Sequence, residues 1–292
     1  MESAINLVNA SLEPNTKLVY KRAWSILKKF LIEHHLPLVL PLVERSMILF
    51  ISYLFERKYA ASTIQTMVSA ISYIHQLYGA DDPSKKFFIK KMLQGSKKIN
   101  NSVDIRMPIT LSILKQLIEA AESIFCSKYE RVVFKAMCVL AFNALLRVGE
   151  MTKSKNNLQF DCIELRNDMV VAYFPRYKHN YEGGSTLYLP KIKGSEVCPV
   201  QASKQYIALR GNTPGPFFLK IDNTPFSRAQ FVNNLKVALK FCGLSDLRYK
   251  THSFRIGGAT HLAQLGKSEI QIRQAGRWQS NAFAKYTRIN WM

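Results

Sequence analysis

Residues 132–146 read VVFKAMCVLAFNALL. A helix over this run is apolar on nearly every side, which predicts a central helix buried all round, with other elements wrapped about it. The run is too short to cross a bilayer, since a span takes roughly 18–20 apolar residues, and no other stretch comes closer. The chain must therefore build a water-soluble core large enough to enclose a whole helix.

The flanking patterns supply the walls. Apolar residues recur at helical spacing over 16–34 (Val19, Ala23, Ile26, Leu27, Phe30, Leu31), with lysines and arginines filling most of the other face. Further helices are predicted over 46–58, from an N-cap at Ser62 to Gly79, and as a short basic helix over 84–97. The stretch Gly95 to Pro108 has no apolar period and reads as a linker. Helices follow over 110–123 and 128–146. The period then becomes two over 160–165, 169–174 and 185–189, which predicts three antiparallel strands. Helices return over 199–209, 227–241, 254–265 and 268–274. The expected fold is mainly α with a small antiparallel β-sheet. It has a helical domain over 1–98, a linker over 99–108 and an α+β domain over 109–292, in keeping with ~150 residues per domain.

Lys and Arg number 41 against 20 Asp and Glu, a formal net charge of +21. Residues 1–105 carry +6 and residues 106–292 carry +15, so both expected domains are positive. The charges sit among helical and strand patterns rather than in a tail. Folded basic surfaces of this size suit a polyanion; nucleic acid leads, and an acidic membrane surface or a merely solvated face are the alternatives. The five cysteines (Cys126, Cys138, Cys162, Cys198, Cys242) are odd in number and show no CxxC, so neither a disulfide framework nor a cysteine zinc site is expected. The opening MESAINLVNASLEP lacks the basic start and apolar core of a secretory leader, and an intracellular protein is expected.

Four short patterns carry chemistry-bearing residues. The apolar run ends in LLRVGE, placing Arg147 and Glu150 three residues apart, on one face if the helix continues. A buried guanidinium needs a carboxylate or an anion, so an internal Arg147–Glu150 ion pair is the plain alternative to a ligand site. RYKHNYEGGS puts Lys178 between two predicted strands, where a lysine is more often simply solvated. HSFR places His252 and Arg255 on one face of a helix start, a natural phosphate position, and Gly257 and Gly258 allow close backbone packing. AGRWQSNAFAKYTRIN contains Trp278 and Tyr286, each by itself more often a packing aromatic.

In this order the patterns resemble the tyrosine recombinase (phage integrase) family over nearly the whole chain. Their wording is nearer to recombinases of eukaryotic mobile elements, of crypton or DIRS type, than to bacterial Xer proteins. LLRVGE resembles the first arginine box, with Arg147 and its companion Glu150; THSFRIGGATHLAQLG resembles the second, with His252 and Arg255. Lys178 matches the hairpin lysine, Lys191 and Lys193 being its competitors. Trp278 stands where many members have histidine, and Tyr286 matches the nucleophile. YAASTIQTMVSAISYIHQLYG is similar to part of the family's core-binding domain.

The resemblance implies catalytic roles for Arg147, Glu150, Lys178, His252, Arg255, Trp278 and Tyr286. DNA would be cleaved and rejoined through a 3′-phosphotyrosyl link, without metal, ATP or other cofactor. It further implies double-stranded DNA as partner, a dimer to tetramer of the chain on DNA, no membrane, and the nucleus as location in a eukaryote. Six residues follow Tyr286, where many members continue into a helix that docks on a neighbouring subunit. The rival readings are a type IB topoisomerase-like nicking–closing enzyme and a domesticated, non-catalytic DNA-binding module.

Overall fold

The computed structural model describes residues 2–100, 104–175, 177 and 183–288. The chain divides into two compact units, Met1–Asp104 and Ile105–Met292.

The first unit is helical: α1 (Glu2–Ala10), α2 (Pro14–Glu33), α3 (Glu44–Glu56), α4 (Ala61–Leu77), a 3-10 turn (Pro83–Lys85) and α5 (Phe87–Ile99). The stripes of α2 to α5 meet in one core around Leu27, Phe30, Leu31, Phe50, Leu54, Ile64, Ile71 and Ile89. Helix α1 is not anticipated from the sequence; in it Leu7 is 74% exposed. Ser62 is not a cap. Helix α4 begins one residue earlier behind Ala60, without a side-chain cap, and Ser62 lies inside its first turn. Buried His75 accepts the Leu42 N–H at Nε2 (2.8 Å), while its Nδ1 meets the Ile71 carbonyl (2.8 Å), tying the loop before α3 to α4.

The second unit contains α6 (Leu111–Ile124), α7 (Lys128–Asn143), α8 (Val148–Met151), β1 (Ile163–Leu165), β2 (Met169–Phe174), β3 (Ser185–Pro190), α9 (Pro199–Arg210), α10 (Arg228–Phe241), α11 (Thr251–Gln264) and α12 (Glu269–Gly276), with 3-10 turns at Phe160–Cys162 and Asn281–Lys285. The strands form one antiparallel sheet in the order β1-β2-β3, with Leu165 opposite Val170 and Val170 opposite Leu189. Residues 160–162, expected as strand, form the 3-10 turn instead. Val170, Ala172, Phe174, Leu187 and Leu189 face the core, while Tyr173 and Tyr188 face outward. As the apolar run required, α7 is the central helix; Val133 to Phe142 are buried apart from Lys135, under α6, α9 and α11. The mainly helical fold with a small antiparallel sheet is thus the one the patterning predicted.

The stretch read as a linker runs through the end of α5 and residues outside the described set. Its last part is not loose: the Met107 and Ile109 N–H groups donate to the Arg248 and Ser253 carbonyls (2.8 and 3.0 Å). Among the described residues no helix is long and apolar enough to cross a membrane.

Candidate active site

The site begins where the apolar helix stops. Helix α7 does not continue through Arg147; it ends at Asn143. The Leu146 N–H reaches back to the Ala141 carbonyl and the Leu145 N–H to that of Phe142. This is the paired closure that turns a chain out of a helix through a left-handed residue, usually glycine. Here the residue is Leu145, with φ of 50°. Arg147 and Glu150 therefore do not share a face of one long helix. Arg147 precedes the four-residue α8, and the Glu150 carboxylate turns back on it. Oε2 accepts the Arg147 N–H (2.8 Å) and Oε1 accepts Nη1–H (3.0 Å). The ion pair considered as the plain alternative is thus formed, yet 23% of the Arg147 side chain remains exposed.

Helix α11 crosses this break. Both glycines of HSFRIGG are required by that approach. A Cβ on Gly257 would stand 1.8 Å from the Ile109 carbonyl oxygen, and one on Gly258 would stand 2.3 Å from those of Phe142 and the Leu145 side chain. His252 and Arg255 lie on the first turns of α11. Arg255 is 1% exposed; its Nη1–H donates to the Leu145 carbonyl and its Nη2–H to that of Gly276 (3.0 Å). The Leu145 carbonyl just past the end of α7 and the Gly276 carbonyl at the end of α12 thus receive a cation, which is favourable at those negative helix ends. Burial pulls the Arg255 pKa down, and the Arg147 cation adds to that pull.

Helix α12 closes in the same manner as α7, through Arg277 (φ 53°, ψ 48°), with the Trp278 N–H on the Arg273 carbonyl (3.0 Å). Gly276 leaves room for the indole, because a Cβ there would lie 1.9 Å from it. The Trp278 and Tyr286 rings pack at 4.9 Å, and the Arg255 guanidinium lies 4.6 Å from the first ring and 5.6 Å from the second. The Tyr286 hydroxyl is 2.9 Å from His252 Nε2. Thr260 sits against the backbone beyond: its hydroxyl donates to the Ile256 carbonyl (2.8 Å), accepts the Arg288 N–H (3.1 Å) and lies 3.2 Å from the Tyr286 carbonyl. Leu145, Ala259, Ile272 and Phe283 form the small apolar cluster beneath the two aromatic rings.

Of the six residues singled out in the sequence, Arg147 and Glu150 form one contacting group and His252, Arg255, Trp278 and Tyr286 another; Arg277, which donates to Glu150 and shares the Leu145 carbonyl with Arg255, joins the two. Lys178 lies outside the described residues. Lys191 and Lys193 follow β3 and are exposed; the Lys191 N–H donates to the Asp168 carbonyl.

Sequence reasoning missed Arg277. Its Nη2–H donates to Glu150 Oε2 (2.8 Å), and none of its side chain is exposed. Glu150 is buried, which by itself would raise its carboxyl pKa; the Arg277 and Arg147 guanidiniums outweigh burial and hold it below the ordinary carboxylate range. The available signal was a basic residue between Gly276 and Trp278 in a chain with one nearby box carboxylate for several box arginines.

No family model matches the chain, and no curated protein matches it. Among solved structures it is similar to a lambda integrase dimer bound to a COC′ core site, with a TM-score of 0.67 at 14% identity over 98% of this chain and 75% of that one. Lambda integrase residues 75–356 bound to DNA superpose with a TM-score of 0.65 at 17% identity, over 98% of this chain and 92% of that one. The Tn1549 transposon integrase in complex with circular intermediate DNA gives 0.65 at 13% identity, over 95% and 90%. At these identities the likeness shows the fold, which is that of the integrase-type recombinases.

Proposed function

We propose that this chain is a site-specific tyrosine recombinase that cleaves and rejoins double-stranded DNA through a 3′-phosphotyrosyl intermediate. The observation that carries the reading is the Tyr286 hydroxyl held 2.9 Å from His252 Nε2, with the Arg255 cation against the Tyr286 and Trp278 rings. A tyrosine placed only for packing has no need of a proton acceptor at its hydroxyl and a guanidinium against its ring.

In this reading Tyr286 Oη attacks a DNA phosphorus, forming the Oη–P bond as the P–O5′ bond breaks. His252 takes the hydroxyl proton and, once protonated, becomes a donor to a non-bridging oxygen. Arg147 and Arg255 place planar cations where charge gathers on those oxygens, and the Trp278 indole N–H adds a donor. Lys178, or in its place Lys191 or Lys193, gives the 5′-oxygen its proton. The phosphodiester energy is kept in the phosphotyrosyl bond, so rejoining by a 5′-hydroxyl needs no ATP, and the cations supply what a metal ion would otherwise supply. Both units share the DNA: the helical unit Met1–Asp104 binds duplex and Ile105–Met292 carries the chemistry. Several copies act on one DNA complex, and a mobile-element recombinase of crypton or DIRS type is the nearest kind. The DNA-bound integrases that share the fold support this reading.

The deciding experiment incubates labelled duplexes from a randomised library with the protein and recovers protein-linked DNA after denaturation. Covalent adducts are expected from the parent chain and none from Tyr286→Phe, with binding unchanged. Adducts of equal yield from the Phe variant would remove Tyr286 as nucleophile; strand exchange between two duplexes separates a recombinase from a nicking–closing enzyme.

A further inference from the structure

Arg277 lies at the centre of the charged cluster, but it is placed differently from the other two arginines. Arg147 keeps part of its side chain at the surface, and Arg255, although buried, gives only two of its donors to protein carbonyls, whereas Arg277 has no exposed side-chain area and gives four. Its Nη1–H groups go to the Ala144 (3.2 Å) and Ala275 (3.4 Å) carbonyls, and its Nη2–H groups go to the Leu145 carbonyl (3.5 Å) and Glu150 Oε2 (2.8 Å). A guanidinium has five N–H donors. Four are spent inward and the fifth, at Nε, is itself buried. The far face of the group is covered by the Phe174 ring at 4.2 Å. No donor of Arg277 points where a phosphate could come.

The Glu150 carboxylate shows what these contacts do. Arg277 and the Arg147 N–H together take Oε2, and only Oε1 is left for the Arg147 guanidinium. Arg147 is thereby engaged through one nitrogen, Nη1, rather than clasped by both oxygens. The same guanidinium holds the carbonyls at the end of α7 while its own backbone closes α12, so it joins the segment that carries Trp278 to the segment that carries Arg147.

We propose that Arg277 is a positioning residue that fixes Glu150 and so aims Arg147 outward at the DNA phosphate, and that it is not a third phosphate ligand. This rests on the recombinase reading above. Without Arg277 the carboxylate is free to rotate onto Arg147 with both oxygens and draw it inward, and Glu150 loses its nearest cation. Removing that opposite charge raises the Glu150 carboxyl pKa.

The test compares the parent with Arg277→Met, Arg277→Lys, Glu150→Gln and the Arg277→Met/Glu150→Gln double variant, each as the full chain. Three quantities are followed: single-turnover adduct formation from pH 5 to 8.5, the Glu150 13C-carboxyl titration (assigned from Glu150→Gln), and the Arg147 side-chain 15N resonance. In Arg277→Met we expect adduct formation slowed roughly ten- to hundredfold, the usual size of an outer-partner loss. A new acid limb should appear in its pH profile, with Glu150 titrating higher and Arg147 shifted. Arg277→Lys restores the low Glu150 titration and most of the rate. The double variant lacks the limb, because nothing remains to titrate, and it removes both buried charges, so it is the more stable of the two Met variants and shows whether the limb belongs to Glu150.

An unchanged Glu150 titration and Arg147 resonance in Arg277→Met would overturn the proposal. So would an acid limb that survives in the double variant, or losses of rate, binding and melting temperature in parallel with no change of profile. If the parent forms no adduct, the recombinase reading fails on that result, and the two resonance measurements, which need no turnover, still decide whether Arg277 sets Glu150 and Arg147.

Discussion

Replacing Arg255 by Lys keeps one positive charge and removes a fork. In the structure that fork does two things at once. Inward, it bridges the Leu145 and Gly276 carbonyls; across its plane, it lies 4.6 Å from the Trp278 ring. A lysine ammonium reaches one of those carbonyls and leaves the other buried and unpaired, at about 1–3 kcal/mol. Loss of the planar cation over Trp278 adds about 0.5–2 kcal/mol. The sum, roughly 1.5–5 kcal/mol, does not exceed the ~5–15 kcal/mol that holds a domain together, so the variant folds. Its melting temperature should fall by roughly 3–20 °C, at about 2–4 °C per kcal/mol for a unit of this size. Chemistry should suffer separately. Loss of one donor to a developing oxyanion costs about 2.7–4 kcal/mol of transition-state stabilisation, or a hundred- to thousandfold in rate. DNA affinity should hardly move, because it is spread over a chain with 41 Lys and Arg. Single-turnover adduct formation and binding isotherms, both measured well below the variant's melting temperature, separate these effects. A variant that melts lower but forms adduct within about threefold of the parent would make Arg255 a purely architectural arginine; equal losses in affinity and rate would place it in ground-state binding instead.

Gly258→Ala forces a methyl to within 2.3 Å of the Phe142 carbonyl oxygen, where α11 meets the end of α7. It should cost about 1–3 kcal/mol, read by urea unfolding, and slow adduct formation by moving Arg255. Glu150 stays ionised in the fold because Arg277 and Arg147 outweigh its burial, so its folded pKa lies below the unfolded one. The stability it contributes is full above the ordinary glutamate value near ~4.3 and is lost as pH falls through the lowered folded value. The unfolding free energies of parent and Glu150→Gln should therefore converge as pH drops below ~4, and a constant gap would contradict this. On α5, Lys90, Lys91, Lys97 and Lys98 are exposed. Changing each to Gln should flatten the log–log salt dependence of DNA binding by about 0.9 for every phosphate no longer neutralised, and an unchanged slope for all four would remove α5 from the DNA surface.

The elements that bury a periodic face were legible in the chain because their signal is local. A stripe such as Ile64, Met67, Val68 and Ile71 states which side must leave water, and the run over 132–146 states that all sides must. The box residues were legible only through their resemblance to the boxes of a known family; taken singly, each pattern reads more readily as an ion pair, a solvated lysine or a packing aromatic. Three features were out of reach. Helix α7 stops at Asn143 through a left-handed leucine, and nothing in ALLRVGE marks that turn, since glycine is the residue that normally does. Leu145 and Arg277 hold such backbones at a local cost of roughly 1–3 kcal/mol each, which only the surrounding packing can sustain. The pairing of Glu150 with Arg277 spans 127 residues, and that of Tyr286 with His252 spans 34. Such contacts follow from α11 and α12 closing on the end of α7, not from any residue's own preference. Local patterning thus determined which side chains must leave water and where helices run. Tertiary packing alone decided which buried cation each carboxylate answers to, because the energy of a buried charge depends on neighbours brought in from elsewhere in the chain.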